Sequence, residues 1–203
     1  MLTSPHSLRQ QGATLVEVMV AVTIAALLMA VAVPNVSTWM ADAKVRTAAE
    51  ALQNAVRLAQ STAIQRSRQT GLALTNLTPA VDATPAANGK RWFVRVLPRS
   101  NGYTESNLYV RGGGEVAQGN VVITGPALLC FNAFGQLTSL ASTATGLSTA
   151  CNAPTTATTL AEYEIKSLAV AGSRHLKIQI NIGGQARLCD MSKVLSDAHP
   201  DGC

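Results

Sequence analysis

The feature that most constrains this 203-residue chain is a run without charge near its N-terminus. No Asp, Glu, Lys or Arg occurs from Val18 to Ala41, and the run is rich in Ala, Val, Leu and Met. As a helix it covers about 36 Å at about 1.5 Å per residue, more than the roughly 30 Å hydrocarbon core of a bilayer. The run therefore predicts a membrane-spanning helix.

A carboxylate, Glu17, stands immediately before this run and five residues after Gly12. A charge in hydrocarbon costs roughly 2.5–3.5 kcal/mol on insertion scales, so such a residue usually has a partner and a function. A secretory signal peptide is one alternative, since Arg9 supplies a positive start and Ala30–Ala32 a small-residue cleavage site. Glu17 argues against it, and a simple single-span anchor leaves the carboxylate unexplained.

The sequence GATLVEV, from Gly12 to Val18, resembles the signal of type IV prepilins, which a dedicated peptidase cuts after the glycine before methylating the new N-terminus. The resemblance implies a leader peptide at residues 1–12, a mature N-terminus at Ala13 and a helix-kinking proline at Pro34. Ala13 departs from the phenylalanine usual at that position. In a filament the Glu17 carboxylate of one subunit would pair with the N-terminal amine of its neighbour, so that each buried charge neutralises the other.

Beyond the run, apolar residues recur at three- and four-residue steps, as in an amphipathic helix packed on a domain. These residues are Val45, Ala48, Ala49, Leu52, Ala55, Val56, Ala59 and Ala63. We expect one long helix with a transmembrane half at residues 13–41 and an amphipathic half at 42–70, ending around Ser67–Gly71. Two helices broken at Pro34 are the alternative, although proline in a membrane helix more often kinks than ends it.

The run AQSTAIQR, residues 59–66, resembles the end of this helix in the GspH/FimT family of minor pilins and type II secretion pseudopilins. The likeness continues loosely through Arg91–Leu97, Leu128–Leu137 and a final pair of strands. It implies an α+β, type IV pilin-like fold, in which the long N-terminal membrane-spanning helix packs on an antiparallel β-sheet domain at residues 71–203. It also implies a single-pass protein of the bacterial inner membrane with a periplasmic C-terminal domain, which later enters a pilus or pseudopilus.

Short β-branched or aromatic runs between Gly, Pro, Asn and Ser predict the strands. They are Arg91–Leu97, Leu108–Val110, Asn120–Thr124, Leu128–Phe131, Glu162–Val170 and His175–Ile182. We expect one antiparallel sheet on the helix, with long loops at Thr75–Lys90 and Ser139–Thr159. The three glycines at 112–114 lack the Lys and the helix of a phosphate loop, so they predict a flexible turn.

Four cysteines, Cys130, Cys151, Cys189 and Cys203, are too far apart for a CxxC redox or zinc pattern. An even number in an exported domain favours two disulfides, for which three pairings are open. We favour the sequence-local pairs, Cys130 with Cys151 and Cys189 with Cys203. Free thiols in a cytosolic protein are the alternative.

No residue pattern indicates an enzyme. The three histidines, His6, His175 and His199, form no local set with a cysteine and an acid. We therefore expect no catalytic residue, no metal, no cofactor and no small-molecule substrate. The net charge of +5 permits contact with nucleic acid or anionic lipid but is weak evidence for either.

The predicted hairpin Leu176–Asp190 bears on DNA binding. FimT-like minor pilins that act in natural transformation have a Gly-Arg-x-Arg turn near the C-terminus that is implicated in binding DNA. From Gly184 this chain reads Gly-Gln-Ala-Arg, so the first arginine of that turn is replaced by glutamine and only the second, Arg187, is present. Candidate DNA-binding residues are Arg174, Lys177 and Arg187, with Arg66, Arg68, Arg91, Arg95 and Arg99 as further basic candidates. A solvated basic surface is the alternative.

Three functions follow from the resemblance. The favoured one is a structural minor pilin, FimT- or FimU-like, in the tip and initiation complex of a type IV pilus, because a cysteine-tied tail resembles pilus-type members. The others are a GspH-type pseudopilin of a type II secretion system and a DNA-binding minor pilin for natural transformation. Expected partners are the inner membrane, the prepilin peptidase, other minor pilins, and the major pilin or pseudopilins, with weak binding to DNA.

Overall fold

The computed structural model describes residues 14–99, 106–154, 156, 158–169 and 172–203, with only the backbone described for residues 31–35. Gly12 and Ala13, the predicted cleavage and methylation sites, lie outside the described residues. The chain divides into two compact units, Met1–Ser37 and Thr38–Cys203. All the described strands belong to the second unit.

Helix α1 runs from Leu15 to Arg66. Pro34 lies inside it, so the alternative of two helices separated at that proline is wrong. The helix ends where predicted, because Ser67 adopts a left-handed φ of 49° and the Arg68 N–H donates to the Ala63 carbonyl at 3.0 Å. This hydrogen bond satisfies one of the carbonyls that the last turn of a helix leaves without a partner.

Within the described part of the chain, no helix combines the length and the apolar character needed to cross a membrane. The large apolar side chains of α1 between Leu15 and Met29 are 51–75% exposed. A contiguous apolar surface of this kind normally marks contact with a membrane or with another protein.

The strands form two sheets. They are β1 (Thr70–Thr75), β2 (Arg91–Val96), β3 (Tyr109–Gly113), β4 (Val121–Thr124), β5 (Leu128–Phe131), β6 (Ala161–Ser167), β7 (His175–Ile180) and β8 (Ala186–Asp190). The first sheet has the order β3-β2-β1-β5 and the second the order β4-β6-β7-β8. All neighbouring strands are antiparallel. The predicted α+β fold is confirmed, but two sheets replace the single sheet expected.

One core joins α1 to both sheets. Every apolar position predicted for the amphipathic half of α1 is buried. The first sheet packs against this face through Leu72, Leu74, Trp92, Val94, Leu129 and Phe131, and the second through Val121, Ile123, Tyr163, Ile165, Leu176, Ile178 and Ile180. The helix is therefore the element that the two sheets share.

The other face of the first sheet is covered by the two long loops. Phe93, Leu97 and Leu128 pack there with Leu147 of the loop predicted at Ser139–Thr159. That loop contains a short helix, α2 (Ser142–Thr145). The loop predicted at Thr75–Lys90 is held by Arg95, a buried residue whose Nη1 donates to the Val81 carbonyl at 2.6 Å. Both loops are thus packed parts of the domain.

The glycines at 112–114 do not form the flexible turn that was predicted. Gly112 and Gly113 belong to β3 and pair with Phe93 and Trp92. A Cβ atom on Gly113 would collide with the ring of Trp92. Glycine serves here for close packing inside a strand, which a local sequence pattern does not distinguish from a turn.

Candidate functional site

The start of α1 has a side-chain cap. The Glu17 N–H donates to Thr14 Oγ1 at 3.2 Å, and the Val18 N–H donates to the Thr14 carbonyl at 3.2 Å. A hydroxyl at this position satisfies one of the N–H groups that the first turn leaves without a partner. The spacing Thr-x-x-Glu is the sequence signature of such a cap. Sequence reasoning singled out Glu17 and missed the role of Thr14.

The Glu17 carboxylate is exposed in the first turn of α1. The partial positive charge at a helix N-terminus favours a carboxylate there by about 0.3–1 kcal/mol. Among the described residues, no cation lies within ion-pair distance of Glu17. The carboxylate therefore has a local electrostatic role and remains accessible to a group from outside the described chain.

Both sequence-local cysteine pairs are disulfide-bonded. Cys130 on β5 is joined to Cys151, with their Cα atoms 5.8 Å apart, and Cys189 on β8 is joined to Cys203, with their Cα atoms 5.2 Å apart. The first bond ties the Ser139–Thr159 loop to the first sheet. The second closes a loop from β8 through residues 191–203, which we call the tail.

Hydrogen bonds hold the tail against β8 in addition to the disulfide. The Asp190 N–H donates to the Asp201 carbonyl at 2.7 Å, and the Cys203 N–H donates to the Lys193 carbonyl at 3.1 Å. The Lys193 ammonium also pairs with the Asp201 carboxylate. The tail is therefore an ordered part of the second sheet's edge.

Asp190 is a buried carboxylate at the root of the tail. Burial alone would raise its pKa, but hydrogen bonds from the Ser192 hydroxyl at 2.6 Å and the Ser192 N–H at 2.9 Å lower it. The positive charges of Arg174 and Lys193 act in the same direction. The net result is an Asp190 pKa below its ordinary value, so the carboxylate is ionised at neutral pH.

Arg187, the arginine retained from the DNA-binding turn, is bonded to the tail. Its Nη2 donates to the Pro200 carbonyl at 2.9 Å and to the Gly202 carbonyl at 2.8 Å. The guanidinium is thus engaged inside the chain, and a phosphate would have to compete with these carbonyls.

Lys177 lies on the same outward face of the second sheet, on β7. Its Nζ is 2.9 Å from a Glu162 carboxylate oxygen and 3.6 Å from one of Glu164, and its side chain is only 15% exposed. The hydrogen bond that it donates to Glu162 is the main reason why the pKa of Lys177 lies above its ordinary value. Two carboxylates thus neutralise the surface around this cation.

Arg174 lies in the turn before β7, and its backbone N–H donates to Asp42 Oδ1 at 2.7 Å. It lines a depression of about 180 Å³ together with carboxylates of Glu50, Asp190 and Asp201. The three candidate DNA-binding residues therefore lie among acidic groups and carbonyls, and their role in binding DNA stays a prediction.

The further basic candidates have different environments. Arg95 is buried, so it offers no charge to a partner. Arg91 Nη1 donates to the Asn76 carbonyl at 3.1 Å. Arg66, Arg68 and Arg99 line one depression of about 460 Å³ at the end of α1. Arg66 Nη1 donates to the Asn107 carbonyl at 3.1 Å and Arg68 Nη2 to the Leu97 carbonyl at 2.8 Å, so these guanidiniums are also engaged inside the chain.

Two family models match this chain. The prokaryotic N-terminal methylation motif matches residues 7–33, and the type II transport protein GspH matches residues 48–184. The first match covers the end of the predicted leader, Gly12 and Glu17, and the second covers most of the packed domain. No protein of curated function matches the chain significantly.

Solved structures of similar fold come from two bacteria. The crystal structure of the type IV minor pilin FimU of Pseudomonas aeruginosa (strain PAO1) is 16% identical, covers 73% of this chain and 90% of its own, and has a TM-score of 0.47. The minor pseudopilin EpsH from the type 2 secretion system of Vibrio cholerae is 11% identical, covers 74% of this chain and 99% of its own, and has a TM-score of 0.44. Both likenesses are too distant to bear on function.

Proposed function

This chain belongs to the GspH family of type II transport proteins, which comprises minor pilins and pseudopilins, and on that premise we propose that it is a structural minor pilin in the tip and initiation complex of a type IV pilus. The observation that favours a pilus over a secretion system is the tail, which is closed by the Cys189–Cys203 bond and held by Arg187. Such a tail resembles that of the pilus-type members of the family. The family is one of structural subunits, and the proposed role is assembly.

Anchoring and processing are part of the same proposal. The match to the N-terminal methylation motif supports cleavage after Gly12 and methylation of Ala13 by the prepilin peptidase. The charge-free run and the exposed apolar side chains of α1 support an anchor at residues 13–41 in the inner membrane, with the rest of the chain in the periplasm. On assembly, the exposed Glu17 carboxylate would pair with the N-terminal amine of a neighbouring pilin.

A pseudopilin of a type II secretion system is the second candidate, because the matching family model is described by that transport system. Its partners would be other pseudopilins instead of minor and major pilins. A DNA-binding minor pilin has less support, since Arg187 and Lys177 are occupied by carbonyls and carboxylates.

The processing proposal is tested by mass spectrometry of the membrane-extracted protein. We expect a mature N-terminus at Ala13 carrying one methyl group, and an uncut precursor in Gly12→Val. A soluble product that begins at Val33 would mean secretory cleavage and would refute the proposal.

The role is tested by deleting the gene in its native bacterium and restoring either the wild type or Glu17→Ala. We expect the deletion to remove surface pili while type II secretion of exoproteins continues. Glu17→Ala should still insert, since losing a charge eases insertion, yet should fail to restore pili because the neighbour's amine lacks its carboxylate. Abolished secretion with normal pili would establish the pseudopilin instead.

A further inference from the structure

The charge-free run of α1 ends with exposed aromatic and apolar side chains. Trp39 is 71% exposed and the neighbouring Met40 is half exposed, whereas Ala41 is buried in the domain. The next residue, Asp42, is the first charged residue after the run. Tryptophan is enriched where a membrane meets water, because its ring is apolar and its indole N–H needs a polar partner. Trp39 thus has the residue type and the place in the sequence of an interfacial anchor.

The length of the run places Trp39 at the depth of an interface. As a helix, the run from Val18 to Ala41 covers about 36 Å, which exceeds the hydrocarbon core of a bilayer by about 6 Å. This excess corresponds to about four helical residues. A run that starts at one edge of the core therefore extends beyond the other edge by residues 38–41, at the level of the lipid headgroups.

A connection in the second sheet is held at the same level of α1. The last pair between β6 and β7 joins Lys166 to His175, and the connection between the two strands lies beyond this pair. The Arg174 N–H donates to Asp42 Oδ1 at 2.7 Å, which binds the end of the connection to α1 where the charge-free run stops. Leu168, at the start of the connection, is 68% exposed. The domain therefore has a second exposed apolar side chain at this end.

Phe134 marks the opposite end of the domain. Its side chain is 83% exposed, and its turn contacts α1 near Ile64, since a Cβ atom on Gly135 would meet the Ile64 side chain. Ile64 follows Asp42 by about 33 Å along the helix, whereas the headgroup layer on one side of a bilayer is roughly 5–8 Å thick. A membrane surface at the level of Asp42 therefore reaches Leu168 and leaves Phe134 in water.

We propose that Trp39, Met40 and Leu168, which we call the rim, lie against the lipid headgroups of the bilayer that holds α1. The proposal rests on the membrane anchor proposed above and adds that the domain itself touches the membrane. Lipid is the occupant because the rim includes the end of the charge-free run and is bound, through Arg174, to the first charged residue after it. A helix alone leaves a domain free to turn about the helix axis, whereas a second contact on the sheet fixes its orientation before assembly.

Tryptophan fluorescence of the whole protein in vesicles of phosphatidylethanolamine and phosphatidylglycerol tests the rim. The chain contains two tryptophans, so Trp92→Phe leaves Trp39 as the only one. The variant that lacks both then receives a new tryptophan at Leu168, or at Phe134 as the matched control. With lipids brominated close to the headgroup, we expect the emission of Trp39 and of Leu168→Trp to fall by about half, because bromine quenches at contact. The emission of Phe134→Trp should not change.

Three fluorescence results would overturn the rim. Quenching of Trp39 without quenching of Leu168→Trp would mean that only the helix touches the membrane. A blue-shifted emission of Leu168→Trp that bromine does not quench would mean that protein covers this residue. Equal quenching of Phe134→Trp would mean that lipid contact has no preference for this end of the domain.

Alkaline extraction of the vesicles separates this proposal from the proposed function. Protein that stays in the vesicles, with no quenching of Leu168→Trp, would refute the rim and leave the anchor standing. Protein that alkali removes would refute the anchor on which the rim depends.

Photo-crosslinking tests the rim with Trp92, a residue of the core, left in place. The full chain in its native bacterium carries p-benzoylphenylalanine at Leu168, and the matched control carries it at Phe134. We expect mass spectrometry of the membrane fraction to find a phospholipid adduct at position 168 and none at position 134. A crosslink from position 168 to another protein in place of lipid would contradict the proposal.

Discussion

At the residue scale, Arg187 and Lys177, two of the predicted DNA-binding residues, are bonded to other groups of the chain. Arg187 donates to two tail carbonyls, and Lys177 faces two carboxylates. A hydrogen bond from a charged group is worth about 1.5–3 kcal/mol, so an incoming phosphate must replace interactions of comparable strength. The outward face of the second sheet is thus better suited to holding the tail than to holding DNA.

Arg187→Ala should therefore loosen the tail. Because the variant cannot donate to the Pro200 and Gly202 carbonyls, we expect hydrogen exchange at the Asp190 and Cys203 amides to accelerate by tenfold or more.

The whole protein in detergent should bind duplex DNA only in the nonspecific range, about 10⁻⁴–10⁻⁶ M. Arg187→Ala should weaken that binding no more than Arg111→Ala, a change at an exposed arginine of β3. Tight binding that collapses only on Arg187→Ala would make this protein a DNA receptor.

Asp190 should make the stability of the domain depend on pH. The pKa of Asp190 in the folded protein lies below its ordinary value of 3.8. The ionised carboxylate therefore contributes fully to the free energy of unfolding above pH 3.8, and this contribution is lost as the pH falls through the pKa of the folded state. We expect Asp190→Asn to lower the free energy of unfolding by about 1 kcal/mol at pH 7 and by much less at pH 2. Urea titrations at the two pH values measure this, and an equal difference at both would contradict it.

Sequence patterns identified Arg187 and Lys177, but not their partners, and they gave no indication of the role of Asp190. Arg187 was recognisable from its place after Gly184, yet its acceptors, Pro200 and Gly202, are brought to it only by the closure of the tail. The hydrogen bond from the Glu17 N–H to the Thr14 hydroxyl is predictable from sequence, because Thr14 lies three residues earlier and this local spacing fixes the contact. Local contacts can thus be predicted from a sequence, whereas contacts made by the fold cannot.

At the scale of elements, the turn between β7 and β8 depends on a single glycine. Gly184 has a φ of 83°, and a Cβ atom there would meet the Gly135 carbonyl and the Gln60 side chain. Gly184→Ala should therefore lower the free energy of unfolding by about 1–3 kcal/mol. Gly183→Ala is the matched control, since its Cβ would approach only Asn181 Oδ1, at 3.3 Å, and its effect should stay within about 1 kcal/mol. Equal effects in urea denaturation would contradict this.

The tail should come loose as a unit when its disulfide is removed. Closing a loop of about fifteen residues is worth about 3 kcal/mol in the chain-entropy model, so Cys203→Ser should make residues 191–203 sensitive to protease. Cys151→Ser is the control, because it opens a different loop and should leave the tail protected. Peptide mapping without reductant checks the pairing, and a peptide linking Cys130 to Cys203 would contradict it.

Strand positions were predictable, but their partners were not. Each predicted strand is present with ends shifted by a few residues, because β-branched and aromatic runs between turn residues mark strands locally. β1 was missed as a separate strand because all six of its residues are buried, which removes the alternation that marks a half-exposed strand. The division into two sheets depends on which strand lies beside which, and the periodicity of side chains carries no information about that.

At the scale of the whole molecule, α1 is the element on which both sheets depend. Leu52 is fully buried in the core that the helix shares with them. Leu52→Ala should lower the free energy of unfolding by about 2–5 kcal/mol, because it leaves a cavity where three layers meet. Ile64→Ala on the same helix, at a half-exposed position, should cost less than about 1 kcal/mol.

Urea denaturation in detergent, followed by tryptophan fluorescence and by far-ultraviolet circular dichroism, measures both variants. Because the two sheets share one core, the two signals should change in a single transition at the same urea concentration. Two separate transitions would show that the sheets unfold independently of each other.

The order of the strands also sets the order in which this protein can fold. β1, β2 and β3 pair with their immediate neighbours, as do β6, β7 and β8, whereas the first sheet is complete only when β5 joins β1, since Thr70 pairs with Phe131 far along the chain. Contacts between distant segments form slowly, because a long loop must close before any of them is made. A chain that is made from its N-terminus thus leaves part of the apolar face of α1 exposed until β5 and the strands of the second sheet have been made. We expect this interval to be when the nascent protein depends most on a chaperone.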